Sequence, residues 1–191
     1  DLKEAGFSAQ DLRKAGFTRD DLAAAGFSPE AIQQAMESAQ CNNAMIERFK
    51  AEGLSIEDME KNGCTASQLK LAGFTAEQLK AAGFSAADLL KAGFTPDQLR
   101  TAGFSAKDLK AAGLDATALR NAGFTAHDLK KAGFTPSQLK KAGFNASQLL
   151  SAGFSPSDLR ESGFTASDLK NAGLNDQALK AAGFSANEIA S

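Results

Sequence analysis

The sequence predicts an all-α fold: a solenoid of tandem ten-residue repeats, each forming one short helix. Two observations predict it. All 17 glycines recur at intervals of ten, with one interruption between Gly26 and Gly53, and 13 of the 14 phenylalanines directly follow a glycine. The consensus unit reads A-G-F-[ST]-A-x-[DQ]-L-K-x. Self-similarity at a fixed short period is typical of repeat architectures, in which each unit stacks on its neighbours.

The first half of the unit has the signature of a helix start. Ser or Thr after the phenylalanine, or Asp or Asn in its place, is a favoured N-cap residue. The next residue is Ala or, as at Pro96, a proline, which suits the first helical position. Three residues after the cap stands Asp, Gln or Glu, as Asp88 follows Ser85. This spacing predicts a capping box in almost every repeat.

The second half predicts a helix end. In Ala-Gly-Phe, the glycine suits the left-handed conformation of a Schellman ending, and the phenylalanine can pack back on the leucine of its own helix. The same ring can also contact the leucine of the next helix. Lys or Arg after the leucine suits the negative end of the helix dipole, and we expect it to face water. The expected core includes Phe74, Phe84, Phe94, Phe104, Phe124, Leu79, Leu89 and Leu99.

The alternative fold is a right-handed β-helix of the pentapeptide type, because A-G-F-S-A and x-D-L-K-x resemble paired five-residue units. In that fold an inward-facing position would hold Gln10, Glu77, Lys107 and His127. Burying such groups without partners would cost roughly 2–7 kcal/mol each. The helical interpretation exposes the same position, and we favour it.

A helix of six residues is far below the roughly 12–15 residues that are marginally stable alone. Stability must therefore come from contacts between repeats. A second period is also visible, because Leu54, Leu114 and Leu174 replace phenylalanine every 60 residues. Duplication of a six-repeat block is the favoured explanation, and a geometric period of the superhelix is the alternative.

The interruption divides the chain into repeats at 1–29, an irregular helical junction at 30–52, and repeats at 53–191 that form one continuous solenoid. The junction is expected to hold one longer helix followed by a helix capped by Asn42 or Asn43. Apolar residues at helical spacing support both helices: Ile32, Ala35, Met36 and Ala39, then Met45, Ile46 and Phe49. A docking knob is the alternative to a junction.

Both cysteines are associated with this region. Cys64 replaces a core phenylalanine, and Cys41 is expected at the end of the longer helix. A disulfide between them would tie the junction to the repeats in an oxidising compartment. The alternative interpretation, that the cysteines are two buried free thiols, is equally favoured.

Composition and spacing argue against nucleic-acid binding and against catalytic, cofactor-binding or metal sites. The net charge is −2, without a basic stripe, so no nucleic-acid partner is expected. His127 occupies an exposed variable position, and the carboxylates are capping residues. Asn145-Ala146-Ser147 fits a glycosylation sequon but is one more repeat. We therefore expect no catalytic, cofactor-binding or metal site, no cofactor and no enzyme.

Decapeptides such as A-G-F-T-A-E-Q-L-K at 72–80 and A-G-F-S-A-K-D-L-K at 102–110 resemble the central repeats of the DotG/IcmE family. That family is the VirB10-like core component of the Dot/Icm type IVB secretion system. The resemblance implies a periplasmic scaffold in an inner-membrane-anchored, envelope-spanning protein. Its implied partners are other core proteins and copies of itself, without membrane insertion by this segment.

Two other functions remain open from the residues: a peptide- or protein-binding solenoid, and a passive spacer. Asp1 already lies inside a repeat, so we expect the sequence to be part of a longer protein.

Overall fold

The computed structural model describes residues 3, 5–38 and 41–190, and the regular secondary structure of these residues is entirely helical. The predicted all-α fold of short-helix repeats is therefore confirmed. The helices are α1 (Ala9–Lys14), α2 (Arg19–Ala24), α3 (Pro29–Ser38), α4 (Asn43–Ala51), α5 (Ile56–Lys61), α6 (Ala66–Leu71), α7 (Ala76–Ala81), α8 (Ala86–Lys91), α9 (Pro96–Thr101), α10 (Ala106–Ala111), α11 (Ala116–Asn121), α12 (Ala126–Lys131), α13 (Pro136–Lys141), α14 (Ala146–Ser151), α15 (Pro156–Glu161), α16 (Ala166–Asn171), α17 (Asp176–Ala181) and α18 (Ala186–Ala190).

The start of a typical helix is closed by a reciprocal capping box. In α12 the backbone N–H of Asp128 donates to the Thr125 hydroxyl at 3.2 Å, and the Thr125 N–H donates to the Asp128 carboxylate at 2.9 Å. Two of the free N–H groups at the helix start thereby gain partners. In α11, where Ala118 replaces the acid, only the bond to the Asp115 cap remains, at 2.8 Å.

The helix end has the Schellman geometry that the sequence predicts. In α12 the N–H of Phe134 donates to the Leu129 carbonyl at 3.0 Å, and the N–H of Gly133 donates to the Lys130 carbonyl at 2.9 Å. Gly133 has φ +78°, in the left-handed region that disfavours residues with a Cβ. The turn directs Phe134 back toward the helix that it ends.

The leucine at the fourth helical position forms the centre of the packing. Leu79, Leu89 and Leu99 are completely buried. At most 8% of the surface is exposed at Phe84, Phe94, Phe104 and Phe124, whereas Phe74 is half-buried.

The chain forms two compact units, Asp1–Phe94 and Thr95–Ser191. Within the second unit, a helix contacts both the next helix and the one after it. For example, α10 contacts α11 and α12, and α14 contacts α15 and α16. Helices two repeats apart therefore lie directly against one another, and in the first unit α6 and α8 do the same.

The junction consists of the two longer helices α3 and α4, of ten and nine residues. Asn42 is the N-cap of α4, and its side chain accepts a hydrogen bond from the Met45 N–H at 2.9 Å. Met45, Ile46 and Phe49 are completely buried. Ala39, predicted to extend the α3 pattern, lies outside the described residues. Cys41 was expected at the end of the longer helix. It lies instead between α3 and α4 and is not helical.

Leu129→Ala should destabilise several repeats at once. Leu129 is completely buried, and such truncations cost about 2–5 kcal/mol. Because α12 contacts both α10 and α14, hydrogen exchange should accelerate in all three helices. The exposed His127→Ala in the same helix is the control and should change the unfolding free energy by less than about 0.5 kcal/mol. Faster exchange confined to α12 would contradict stacking.

The capping carboxylates should make stability fall in acid. Hydrogen bonds from Ser155 hold the pKa of Asp158 below its ordinary value of 3.8. Burial raises the pKa of Asp128, but hydrogen bonds from Thr125 outweigh it and the net shift is downward. A depressed folded-state pKa stabilises the fold above the ordinary value, and this stabilisation is lost as the pH falls through the folded value. The urea midpoint should therefore drop between about pH 5 and pH 2.

The control is the double variant Asp128→Gln, Asp158→Gln, which uses the residue found naturally at Gln138. Glutamine retains the capping bond of that box at 2.9 Å and does not titrate. The variant should lose part of the acid dependence. An unchanged pH profile would show that these boxes are not its source.

Candidate functional site

The contact that recurs through the array is made by the lysine or arginine after each core leucine. Lys110, in α10, reaches the end of α12, two repeats further on. Its Nζ donates to the carbonyls of Ala132 at 3.0 Å and Gly133 at 2.8 Å, and it lies 4.3 Å from the centroid of the Phe134 ring. One cation thus contacts both the backbone and the aromatic side chain of another helix.

The same arrangement is repeated at a fixed spacing. The acceptor carbonyl lies 22 or 23 residues after the cation, and the ring follows it. In seven further pairs the cation lies over the phenylalanine ring 24 residues later in the sequence. These pairs, with the distance from the cation to the ring centroid, are Lys3 over Phe27 (5.6 Å), Lys50 over Phe74 (5.1 Å), Lys70 over Phe94 (4.7 Å), Arg120 over Phe144 (5.5 Å), Lys130 over Phe154 (4.7 Å), Lys140 over Phe164 (4.7 Å) and Arg160 over Phe184 (5.5 Å).

The physical basis is the unsatisfied C-terminal end of each helix. A Schellman turn satisfies two carbonyls and leaves others free, at the negative end of the helix dipole. A cation there contributes about 0.3–1 kcal/mol, and its contact with the ring contributes about 0.5–2 kcal/mol. The glycine can also leave space for the cation, because a Cβ on Gly153 would lie 3.2 Å from Lys130 Nζ, closer than an ordinary contact.

The expectation that this position faces water holds for Arg100, Arg120 and Arg160, which are exposed, and is wrong for the four lysines named next. Lys70, Lys110, Lys130 and Lys140 are half-buried, and their charged ends contact the helix two repeats further on. The cation of Lys110 does lie at the negative end of a helix dipole, but that helix is two repeats further on. Nothing in the ten-residue pattern predicted that a lysine would contact a repeat beyond the adjacent one.

One signal in the sequence could have revealed this contact. In the second unit Leu150 replaces the cation, and Leu174, 24 residues later, replaces the ring. In the sequence, Leu90 is likewise followed 24 residues later by Leu114. Leu90 and Leu150 are the only leucines at the cation position. From Lys70 to Arg160, a lysine or arginine at this position is followed 24 residues later by phenylalanine, whereas a leucine there is followed by leucine. This matching relates Leu114 and Leu174, two of the leucines in the 60-residue period, to the residue 24 positions earlier in the sequence.

At the junction the same contact runs backward along the chain. Arg48, in α4, donates to the Ala15 carbonyl at the end of α1 at 3.2 Å and lies 3.9 Å from the Phe17 ring centroid. Lys50, in the same helix, reaches forward to the Ala72 carbonyl at 3.1 Å. The longer helix α4 thus caps one helix on each side of it in the sequence.

Arg13 completes this docking from α1. Its guanidinium donates to the backbone carbonyl of Asn62, at the end of α5, and to the Phe17 carbonyl at 3.2 Å. It is completely buried, its Nε has no hydrogen-bond partner, and burial lowers its pKa to about 10, which leaves it charged at neutral pH. The side chain of Asn62 also accepts from the Arg19 N–H at 3.1 Å.

The two cysteines form a disulfide bond. Cys41 and Cys64 are 23 residues apart in the sequence and nearly completely buried. The Gln68 side chain adds a hydrogen bond to the Cys41 carbonyl at 2.5 Å. Since Cys64 follows the turn that Arg13 contacts, the bond covalently fixes the segment before α4 to the place where α1 docks.

The other polar residues have structural roles. His127 is exposed on α12, and Asn145 is the N-cap of α14, accepting from the Gln148 N–H at 2.9 Å. Over the described ranges, no group of three or more His, Cys, Asp or Glu is placed to hold a metal ion. No described helix is both long and apolar enough to span a bilayer.

These features define a class: an all-α repeat protein whose short helices are joined by end capping between repeats. Comparison with protein families places the chain more narrowly. The model of the decapeptide repeat region matches residues 42–106, 73–146, 97–163 and 123–191. The chain therefore belongs to the decapeptide repeat family. No curated protein matches the sequence significantly.

A double-mutant cycle on Lys140 and Phe164 should detect the contact between repeats. Lys140→Leu and Phe164→Leu should each destabilise the chain, and the double variant should cost less than their sum by about 0.5–1 kcal/mol. The double variant reproduces the natural pair Leu150 and Leu174. Urea unfolding provides the measurement. The control replaces the exposed neighbour Lys141 with Leu, which should show no coupling to Phe164. Additive effects at Lys140 would reject the interaction.

Proposed function

We propose that the chain is a structural scaffold segment, a periplasmic repeat array in the core complex of a type IVB secretion system. The observation that carries the proposal is its membership of the decapeptide repeat family, together with the decapeptides at 72–80 and 102–110, which resemble the DotG/IcmE repeats. Other core proteins and further copies of the chain are its proposed partners, and the segment has no catalytic role.

The use of the side chains supports a scaffold. The leucines and phenylalanines pack between repeats, the Ser, Thr and Asp residues cap helix starts, and the lysines cap helix ends. Because the contacts of the regular repeats outside the junction are made to a repeat one or two positions away, an array can be lengthened without redesign of its interior. A protein that bridges a distance across an envelope requires this property.

The disulfide supports an extracytoplasmic position. Structural disulfides persist in oxidising compartments such as the bacterial periplasm and are rare in the cytosol. The bond between Cys41 and Cys64 fixes the docking of the first repeats, so its formation would complete the fold after export.

The compartment is tested by thiol alkylation in intact cells of the native bacterium. A membrane-permeant maleimide should leave Cys41 and Cys64 unmodified unless a reductant is added first. Cys41→Ala is the control, because it frees Cys64 for modification after denaturation. Modification of both residues in denatured, unreduced wild-type protein would contradict the proposed location.

The partners are tested with a photo-crosslinking amino acid at exposed His127 in the same cells. Crosslinks should join the chain to secretion-system core proteins or to copies of itself, and deletion of the core complex should remove the former. Exclusive crosslinks to unrelated soluble proteins would reject the scaffold assignment.

A further inference from the structure

Two of the three arginines at the cation position of the second unit have a carboxylate close to them within the chain. Nη2 of Arg100 lies 3.4 Å from the carboxylate of Asp97. Arg160 lines a groove together with Glu188. The pKa of Glu188 lies below its ordinary value of 4.5, chiefly because Ser185 donates hydrogen bonds to the carboxylate and to a smaller extent because of the charge of Arg160. The repeat therefore allows a carboxylate to lie near an arginine at this position.

Arg120 is the third arginine, and it lacks such a carboxylate. The positions that supply the two carboxylates hold Thr117 and Gln148 here. The guanidinium lies 5.5 Å from the centroid of the Phe144 ring but forms no ion pair or hydrogen bond with any described residue. Because Arg120 is exposed and its N–H donors form a planar fork, that fork is available to a ligand from outside the chain.

Arg120 lines a groove of about 640 Å³, which is bounded by the start of α12 and by α14. Four exposed polar side chains line the groove with it: His127, Ser147, Gln148 and Ser151. Gln148 Oε1 accepts the Asn145 N–H at 3.0 Å, so the side-chain amide keeps its own N–H groups for a ligand. The hydroxyls of Ser147 and Ser151 form no hydrogen bond with any described residue. The groove thus combines a positive charge with neutral hydrogen-bond donors.

The described lining of this groove contains no acidic residue. Asp128, which follows His127 in α12, lies outside the lining, and its carboxylate accepts a hydrogen bond from the Thr125 hydroxyl at 2.7 Å. The groove at Arg160 differs in this respect, because Glu188 lines it. A carboxylate is therefore the one chemical group that the groove at Arg120 lacks by comparison.

We propose that the groove at Arg120 binds an aspartate or glutamate side chain from an acidic segment of a partner protein. The Arg120 fork would bind the carboxylate oxygens, with the Gln148 amide and the serine hydroxyls as further donors. The Phe144 ring takes no part, because it is only 5% exposed. The proposal deepens the scaffold role and rests on it for the identity of the partner, but not for the binding chemistry.

The charge of the groove favours a carboxylate over a phosphate group. One guanidinium balances one negative charge and matches a planar carboxylate through two parallel hydrogen bonds. A phosphate group carries a charge of about −1.5 to −2 at neutral pH. Among the described lining residues only His127 could add positive charge, and an unperturbed histidine is mostly neutral at pH 7.

The strength of the contact explains why the carboxylate belongs to a protein and is not a free small anion. An exposed ion pair is weak, so the groove would hold an isolated carboxylate only at millimolar concentrations or above. The contact becomes effective when other contacts already hold the partner, as in an assembly.

The binding chemistry is tested by NMR titration of the intact chain with N-acetyl-glutamate-methylamide at constant ionic strength. The Arg120 Nε–H and Gln148 side-chain amide signals should shift and saturate. The neutral isostere N-acetyl-glutamine-methylamide should leave them unchanged. Inorganic phosphate is the third probe, and saturation by phosphate at lower concentration than by the glutamate probe would contradict the carboxylate assignment.

Two variants retain the local fold and change the groove. Gln148→Asp keeps the capping box, since aspartate occupies the same position in α12 and α15, and should abolish binding by placing a carboxylate in the groove. Arg120→Lys should weaken binding by about two- to fivefold. A lysine lacks the planar fork, and at this position Lys110 donates to a helix-end carbonyl instead.

The matched control creates a second site. Glu188→Gln removes the carboxylate from the groove at Arg160, so the Arg160 Nε–H signal should shift with the glutamate probe, as it does not in the wild-type chain. Unshifted Arg120 and Gln148 signals in the folded wild-type chain would overturn the proposal, as would undiminished binding by Gln148→Asp or no gain by Glu188→Gln. Since these titrations involve no cell envelope, their failure is separate from failure of the proposed scaffold role.

Discussion

The constraint on which this structure depends is the capping of helix ends. A six-residue helix has four backbone N–H groups at its start and four carbonyls at its end without partners inside the helix. Most of its backbone polar groups therefore lie at its ends. The capping box satisfies part of the start from within the repeat. The Schellman turn satisfies part of the end, and a cation from two repeats earlier donates to further carbonyls there.

This division has a consequence for folding. Local capping can form within one repeat, but the cation of α10 and the ring that follows α12 are brought together only when the intervening helix is in place. The carbonyl contacts, the ring contacts and the burial of the leucines therefore form together. An array of units that are too short to fold alone gains cooperativity between second neighbours as well as between nearest neighbours.

Much of the fold could be predicted from the sequence because its determinants are local. The caps, the glycines and the core leucines each act within about five residues, and they recur at the ten-residue period. The contact between Lys110 and Phe134 could not be predicted in this way, because it depends on how helices stack. The docking of Arg13 against Asn62 is still harder to predict, since it joins residues that are 49 apart in the sequence, on either side of α3 and α4. The sequence left open whether Cys41 and Cys64 are bonded, because burial alone does not distinguish a thiol from a disulfide.

The central claim is that a lysine side chain lies over the phenylalanine ring two repeats ahead. Ring-current shifts measured by proton NMR test it directly. The Hε protons of Lys140, whose Nζ lies 4.7 Å from the Phe164 centroid, should be shifted upfield, and those of the adjacent exposed Lys141 should not. Phe164→Leu should remove the difference. Equal, unshifted signals for Lys140 and Lys141 in the folded chain would contradict the account.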